Sequence, residues 1–292
     1  MQHPRTLLVV LVLSALAPLQ LAAQMAASIL PFELANNLIL VEAEVDGRKG
    51  LFFFDSGAPR LGLNSARWPE RTAATTPGMT NAGATGTHTG RQTTVAKFSL
   101  GHVVQENVTA GFLDLSHLER ATGREVLGLI GYENIRDQLV CFDYAAKQVK
   151  LLPSIALGHL PAPVASIPFT MERHVPIFAA LLSDGTSLKL GLDCGAGGGM
   201  LDANLREQLK PLLRADGAQP VAGAGGTTSG GMERFRGELK LADTVFKDVA
   251  FMFMPMGHFR AQGATFDGVV GYHLLSARPS AIDYANSRLL FW

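Results

Sequence analysis

Short apolar stretches separated by glycine and small polar residues recur along this chain and predict β-strands rather than long helices. Leu38 to Val45 and Gly50 to Phe54 flank Asp46-Gly47, a pair typical of a tight hairpin turn. Further strands are predicted at Val95 to Leu100, Val108 to Leu113, Val140 to Leu151, Ile177 to Leu182, Leu188 to Leu192, Glu238 to Leu241, Val249 to Met254 and Ala281 to Trp292. The pattern favours a chain that is mostly antiparallel β-sheet.

Helical patterns are few. Asp202 to Lys210 has helical spacing, with Asp202 as a candidate N-terminal cap and Pro211 as a terminator. Short helical turns are also predicted after Tyr132 and Tyr272.

The two halves of the chain carry the same landmarks in the same order, about 140 residues apart. A period of this length indicates two domains rather than a solenoid, whose repeats run about 20 to 50 residues. The landmarks are Asp46-Gly47 with Asp184-Gly185, FFFDSGA ending at Ala58 with LGLDCGA ending at Ala196, AGATGT at 82–87 with AGAGGT at 222–227, GLIGY at 128–132 with GVVGY at 268–272, and FDY at 142–144 with IDY at 282–284. We therefore predict two lobes, residues 25–153 and 154–292, joined by a proline-containing linker at Pro153 to Pro163.

The N-terminus precedes the first lobe with a different pattern. Arg5, an apolar run from Leu7 to Leu16 and small residues at Ala22-Ala23 are typical of a secretory signal peptide, and the run is short for a membrane span. We predict a signal peptide at residues 1–24, with an uncleaved N-terminal anchor as the alternative. No second membrane segment follows, so the expectation is an exported protein, periplasmic or secreted, without a membrane span after signal removal.

Charge excludes some partners. Lys and Arg total 25, as do Asp and Glu, so the net charge of zero gives no electrostatic basis for binding nucleic acid or an anionic membrane. The chain has two cysteines, Cys141 and Cys194, and we favour two buried thiols over a disulfide.

The candidate chemistry lies in the twin phrase, where an apolar strand delivers Asp55 and Asp193 into equivalent small-residue turns. Two carboxylates brought close together do not both ionise easily, so such a pair holds one proton between them. The alternative is that each aspartate only hydrogen-bonds the amides of its own turn.

These motifs resemble the lobe of a pepsin and retropepsin-type aspartic protease. An apolar strand ending in Asp-Ser-Gly-Ala, a glycine-rich hairpin about 30 residues later, an apolar pair before glycine and a terminal Phe-Asp-Tyr strand follow in that order, twice. The closest form of the resemblance is the bacterial aspartyl-protease-like family. It implies an all-β, two-lobed pepsin-like fold of duplicated retropepsin-type β-barrel lobes with few short helices.

The resemblance also implies roles for individual residues. Asp55 and Asp193 would form the catalytic dyad, and Gly57 and Gly195 would let the backbone approach it. Ser56 would supply a hydroxyl that locks the two turns together. At the matching position, Cys194 departs from the family's hydroxyl residue, and because a thiol is a weak hydrogen-bonding group we expect a weaker lock on that side.

Two further groups of residues follow from the resemblance. Leu129, Ile130, Val269 and Val270 would pack beneath the turns, a placement that ordinary core strands share. Thr85, Gly86, Thr87, Gly226 and Thr227 would form one or two flaps over the cleft, with mobile surface loops as the alternative, and neither hairpin carries the flap tyrosine of pepsin-type enzymes.

Other kinds of site receive little support. Gly195 to Met200 lacks the Gly-Lys-Ser/Thr ending of a phosphate loop, and the histidines are too dispersed for a metal site. A triad using His174 and Asp184 lacks a nucleophile turn. Met252, Met254 and Met256 alternate with strand period, which favours packing on one strand face over lining a cleft.

The sequence therefore predicts a monomeric aspartic endopeptidase that needs neither metal nor cofactor and acts on peptides or proteins. The alternative is a catalytically impaired protein that binds extended peptides in the same cleft.

Overall fold

The computed structural model describes residues 27–72, 76–83, 86–223, 226–227 and 231–292. The predicted signal peptide, residues 1–24, lies outside the described residues. The strands are β1 Ser28–Ala35, β2 Leu38–Val45, β3 Arg48–Phe54, β4 Gly62–Asn64, β5 Thr76–Gly83, β6 Gly86–Leu100, β7 Val103–Leu113, β8 Gly128–Ile130, β9 Leu139–Asp143, β10 Gln148–Leu152, β11 Ala165–Pro168, β12 Thr170–Glu172, β13 Val175–Leu181, β14 Ser187–Leu192, β15 Gly199–Asp202, β16 Arg214–Gln219, β17 Ala222–Gly223, β18 Gly226–Thr227, β19 Met232–Leu241, β20 Thr244–Met254, β21 Gly268–Val270, β22 Ser280–Asp283 and β23 Arg288–Phe291.

The helices are short. The α-helices are α1 Pro69–Thr72, α2 Ser116–Thr122, α3 Tyr132–Ile135, α4 Arg206–Leu209, α5 Gly257–Arg260 and α6 Tyr272–Leu275, and 3₁₀ turns lie at Ser154–His159, Ala203–Leu205 and Lys210–Leu212. The predominance of strand and the duplication of the lobes confirm the predicted fold class.

The first predicted hairpin is confirmed, with β2 at the predicted bounds. Asp46 and Gly47 have φ angles of 48° and 83°, so both turn residues are left-handed, as a two-residue hairpin requires. The Asp46 side chain is held by the Lys97 amide at 2.6 Å and by an ion pair with Arg71.

Two long predicted strands are wrong in the same way. Val140 to Leu151 forms β9 and β10, and Ala281 to Trp292 forms β22 and β23, each pair joined by a turn. Asp143 accepts the amide of Ala146 at 2.9 Å, and its counterpart in the second lobe makes the same turn. The aspartates of the two Asp-Tyr motifs therefore end strands instead of continuing them.

The predicted helix at Asp202 to Lys210 is present as one α-helical turn, α4, between two 3₁₀ turns. Asp202 caps it by accepting the Asn204 amide at 3.1 Å. The helical segment continues past Pro211 to Leu212, so that proline does not end it. The predicted turns after Tyr132 and Tyr272 are confirmed as α3 and α6, whereas the sequence missed α1, α2 and α5.

Each lobe repeats one arrangement of strands around its aspartate turn. In the first lobe β3 runs parallel to β8, β8 antiparallel to β4, and β4 parallel to β7. In the second lobe β14, β21, β15 and β20 pair in the same way. The aspartate turn leaves β3 in one lobe and β14 in the other, so two equivalent sets of strands carry the two carboxylates.

Six strands join the lobes, in the order β1-β10-β9-β22-β23-β11. The central pair is antiparallel, with Phe142 opposite Ser280, Cys141 opposite Ala281 and Val140 opposite Ile282. The strand order and register are therefore two-fold symmetric about the Cys141–Ala281 pair. The predicted linker begins directly after β10 and contains the 3₁₀ turn at Ser154–His159.

The hydrophobic core is continuous across this junction. One cluster of buried residues contains Phe54 and Phe142 of the first lobe together with Leu192, Ile282 and Phe291 of the second. The two aspartate turns are therefore mounted on a single packed unit.

Candidate active site

The two aspartate turns meet between the lobes in equivalent surroundings. Asp55 follows β3 and its amide donates to the carbonyl of Ile130 at 3.0 Å, while the Asp193 amide, after β14, donates to the carbonyl of Val270 at 2.9 Å. The sequence-predicted pair is thus brought together, with the two carboxyl groups close enough to influence each other's ionisation.

Backbone amides of both turns donate to the two carboxylates. Oδ1 of Asp193 accepts the amides of Gly195 at 2.7 Å and of Gly57, from the opposite lobe, at 2.9 Å. Oδ1 of Asp55 accepts the amide of Ala58 at 3.0 Å. Amide donors stabilise a carboxylate in its ionised form.

Burial and mutual repulsion set the charge of the pair. Burial raises the pKa of Asp55 well above its ordinary 3.8 and the neighbouring Asp193 raises it further, while the amides of Ala58 and Gly57 oppose the rise. Burial also raises the pKa of Asp193, but the amides of Gly195 and Gly57 oppose that rise. The arrangement favours a single proton shared by the pair.

Glycine is required beside each aspartate because the opposite carboxylate fills the space of a side chain. A Cβ at Gly57 would overlap the Asp193 carboxylate, and one at Gly195 would lie 2.5 Å from Asp55. Steric overlap with the opposite carboxylate thus explains why glycine is needed at both predicted positions.

Ser56 and Cys194 interlock the two turns beneath the dyad. The Ser56 hydroxyl accepts the Cys194 amide at 2.9 Å, and the Cys194 sulfur accepts the Ser56 amide at 3.2 Å. The thiol also donates to the carbonyl of Phe54 at 3.4 Å, and burial raises its pKa so that it keeps this proton. The thiol therefore makes contacts on both sides, although sulfur is the weaker hydrogen-bonding atom.

The two apolar pairs divide between the core and the cleft. Ile130 and Val270 are fully buried beneath the turns and supply the carbonyls that receive the aspartate amides. Leu129 and Val269 instead line the cleft, because alternate side chains of a strand point to opposite faces. The prediction that all four pack beneath the turns is therefore corrected for Leu129 and Val269.

All four tyrosines of the chain lie in pairs that cross from one lobe to the other near the dyad. Tyr132 packs edge-on against Tyr284, with ring centroids 5.2 Å apart, and Tyr144 packs likewise against Tyr272, at 5.4 Å. Sequence reasoning did not assign them a role, although they end the two Gly-x-x-Gly-Tyr motifs and the two Asp-Tyr motifs.

Two polar side chains also tie the turns to the opposite lobe. His174 Nε2 donates to the carbonyl of Gly57 at 2.8 Å, and Asn37 donates to the carbonyl of Gly197 at 2.9 Å. Burial lowers the pKa of His174, which favours the neutral ring. Asp184 is instead engaged by Thr186, so the structure does not bring it to His174 as a triad.

A cleft of about 930 Å³ lies over the dyad. Met252 and Met254 line it, so the interpretation that they only pack a strand face is corrected, while Met256 is buried in the adjoining cluster. The bases of two hairpins also line the cleft, at Gly90 and Val221.

Of the predicted flap residues, Thr85 lies outside the described residues. Gly86 and Thr87 begin β6, opposite Gly83 and Ala82 of β5. The backbone of Gly226 and Thr227 forms β18, paired with β17. Each hairpin approaches the other lobe, β5 near α5 and β17 near α2.

Within the part of the chain that the structure describes, no three His, Cys, Asp or Glu side chains are grouped so as to hold a metal ion. No described helix combines the length and apolar character needed to cross a membrane.

A duplicated two-lobed β-fold with paired aspartates between its lobes defines the aspartic protease class. The aspartyl protease family model matches residues 41–133 and 180–274, so the chain belongs to that family, with two retropepsin-like lobes in tandem. The comparison with curated proteins gave no match.

Proposed function

We propose that the protein is an aspartic endopeptidase that hydrolyses peptide bonds with a water held between Asp55 and Asp193. The observation that carries this proposal is the dyad itself: two partly buried carboxylates side by side, each accepting backbone amides of the aspartate turns. Membership of the aspartyl protease family supports the same reaction class.

We place the starting negative charge on Asp193, because its Oδ1 accepts two close amide hydrogen bonds, at 2.7 and 2.9 Å. Ionised Asp193 takes a proton from the water, and the water oxygen attacks the scissile carbonyl carbon. Protonated Asp55 meanwhile donates a hydrogen bond to the carbonyl oxygen. A proton then passes from the dyad to the amide nitrogen and the carbon–nitrogen bond breaks. The products are a carboxylic acid and an amine, and the dyad again holds one proton.

We propose that the cleft, with its volume of about 930 Å³, binds a peptide or protein substrate in an extended conformation. We propose that the two hairpins, with Gly86, Thr87, Gly226 and Thr227, cover the bound chain, because their bases already line the cleft. Since both carboxylates are on one chain, we propose that the monomer is active. The N-terminal pattern supports export to the periplasm or medium.

Cleavage of a mixed peptide library across roughly pH 3 to 7 tests the proposal. Wild-type protein should cleave, and either Asp55→Asn or Asp193→Asn should reduce the rate by at least about a thousandfold. Peptide binding without cleavage by wild type would instead establish the alternative, a non-catalytic peptide-binding protein.

A further inference from the structure

The two walls of the cleft differ at one equivalent pair of positions. In the first lobe, Gly62 on β4 lies opposite Gly111 on β7. In the second lobe, Met200 on β15 lies opposite Met252 on β20, in the same parallel pairing. All four residues line the cleft. A pair of glycines in one lobe therefore occupies the place of a pair of methionines in the other.

Of the two glycines, only Gly111 leaves space in the first wall, because a Cβ at Gly62 would lie 2.8 Å from the side chains of Leu113 and Leu129. A Cβ at Gly111 would have no neighbouring atom within 4 Å, so this position opens directly into the cleft. Leu113, Leu118 and Leu129 of the same lobe also line the cleft. The first lobe thus offers an open depression over Gly111, with leucine side chains beside it at Gly62.

The methionine pair fills the corresponding space in the second wall. Met200 and Met252 are only 7% and 6% exposed, and with Met254, Phe266 and Val269 they form a hydrophobic cluster of their own. A bulky ligand side chain would have to displace side chains that are already packed.

We propose that the two sides of the cleft select side chains of different size. The depression over Gly111 receives a bulky aromatic side chain of the peptide, and the methionine-lined side receives a short one. Gly111 and Met252 set this difference. The inference rests on the proposed function, because it assumes that a peptide occupies the cleft across the dyad.

Binding to the Asp55→Asn protein tests this separately from catalysis. The probes are labelled peptides identical except for two central residues, which are Ala-Ala, Phe-Ala or Ala-Phe, and the measurement is fluorescence polarisation. Of the Phe-Ala and Ala-Phe peptides, one should bind about tenfold more tightly than Ala-Ala, and the other should bind no more tightly than Ala-Ala. Equal affinity for both phenylalanine peptides would overturn the inference.

Reciprocal substitutions in the same background localise the effect. Gly111→Met should remove the preference, whereas the control Gly111→Ala, whose methyl group meets no neighbour, should keep most of it. Met252→Gly should let the other phenylalanine peptide bind about tenfold more tightly. Thermal unfolding checks that each variant is folded.

The outcomes separate this inference from the proposed function. A preference that survives Gly111→Met, or wild-type cleavage without any side-chain size preference, would overturn the inference and leave the peptidase assignment intact. Failure of every peptide to bind any folded variant, together with no cleavage by wild type, would overturn both.

Discussion

At the residue scale, the difference between the two aspartate turns is a single atom type. Ser56 places an oxygen, and Cys194 a sulfur, at equivalent points of the interlock. The sequence alone predicts a weaker lock, but it does not show that the thiol still accepts from Ser56 and donates to Phe54. The two turns are therefore joined in both directions.

Substitution of Cys194 should separate hydrogen bonding from volume. Cys194→Ser keeps a donor and an acceptor, so we expect its unfolding free energy to stay within about 1 kcal/mol of wild type. Cys194→Ala leaves the buried Ser56 amide without its acceptor and should lower the unfolding free energy by about 1–3 kcal/mol. Urea titrations measure both.

Cys141→Ala is the matched control, because alanine already occupies the equivalent position, Ala281. It should change stability less than Cys194→Ala does. If Cys194→Ala were as stable as wild type, the interlock would not depend on this side chain.

The dyad also makes a prediction about stability and pH. Folding raises the pKa of Asp55. The contribution of Asp55 to stability is therefore fully present below its ordinary pKa of 3.8 and is lost as pH rises through its pKa in the folded protein. Asp55→Asn removes this titration. The unfolding free energy of the variant minus that of wild type should therefore increase as pH rises from about 4 towards neutrality. A difference that does not change with pH would contradict the raised pKa.

At the scale of elements, the sequence predicts about half of the strands and the position of both aspartates, because local apolar runs and turn residues encode them. It misses the breaks after Asp143 and Asp283, where side chains cap turns inside otherwise apolar runs. It also fails to show that Leu129 lines the cleft, because that depends on how β8 pairs with β4. These features follow from contacts between distant segments.

One such contact joins β15 to α5. The Asp202 carboxylate, with 4% of its side chain exposed, pairs with Arg260 at 3.0 Å. At the equivalent end of β4, the first lobe has an amide, Asn64, which is fully buried and hydrogen-bonds Val126. One lobe thus uses an ion pair where the other uses a neutral group.

Arg260→Met should lower the unfolding free energy by about 1–3 kcal/mol, because it leaves a nearly buried carboxylate without its cation. Adding Asp202→Asn, the counterpart of Asn64, should recover most of that loss. Thermal or urea unfolding of Arg260→Met, Asp202→Asn and the double variant provides a double-mutant cycle. A double variant no more stable than Arg260→Met would show that charge is not the cause.

At the scale of the whole molecule, the six-stranded junction and the shared core should make the lobes unfold together. The chain offers one tryptophan in each lobe: Trp68, buried in the first, and Trp292, which donates to the carbonyl of Pro161 in the second. When the other tryptophan is replaced by phenylalanine, Trp68 reports the first lobe, and Trp292 reports the second lobe together with the junction against which it packs.

Leu239→Ala, a change confined to the core of the second lobe, should lower the unfolding free energy by about 2–5 kcal/mol. If the lobes are coupled, the urea midpoint reported by Trp68 should fall as far as that reported by Trp292. A shift seen only by Trp292 would mean that the lobes unfold independently.

The central claim is that one proton shared by Asp55 and Asp193 drives peptide hydrolysis, and the pH dependence of kcat/KM for one cleaved peptide tests it most directly. We predict a bell-shaped profile: activity falls at low pH as the pair gains a second proton and at high pH as it loses its only one, with the upper limb above the ordinary aspartate value of 3.8. Asp55→Asn and Asp193→Asn should abolish the whole profile. A rate that rises steadily through neutral pH, or one that survives either substitution, would contradict the account.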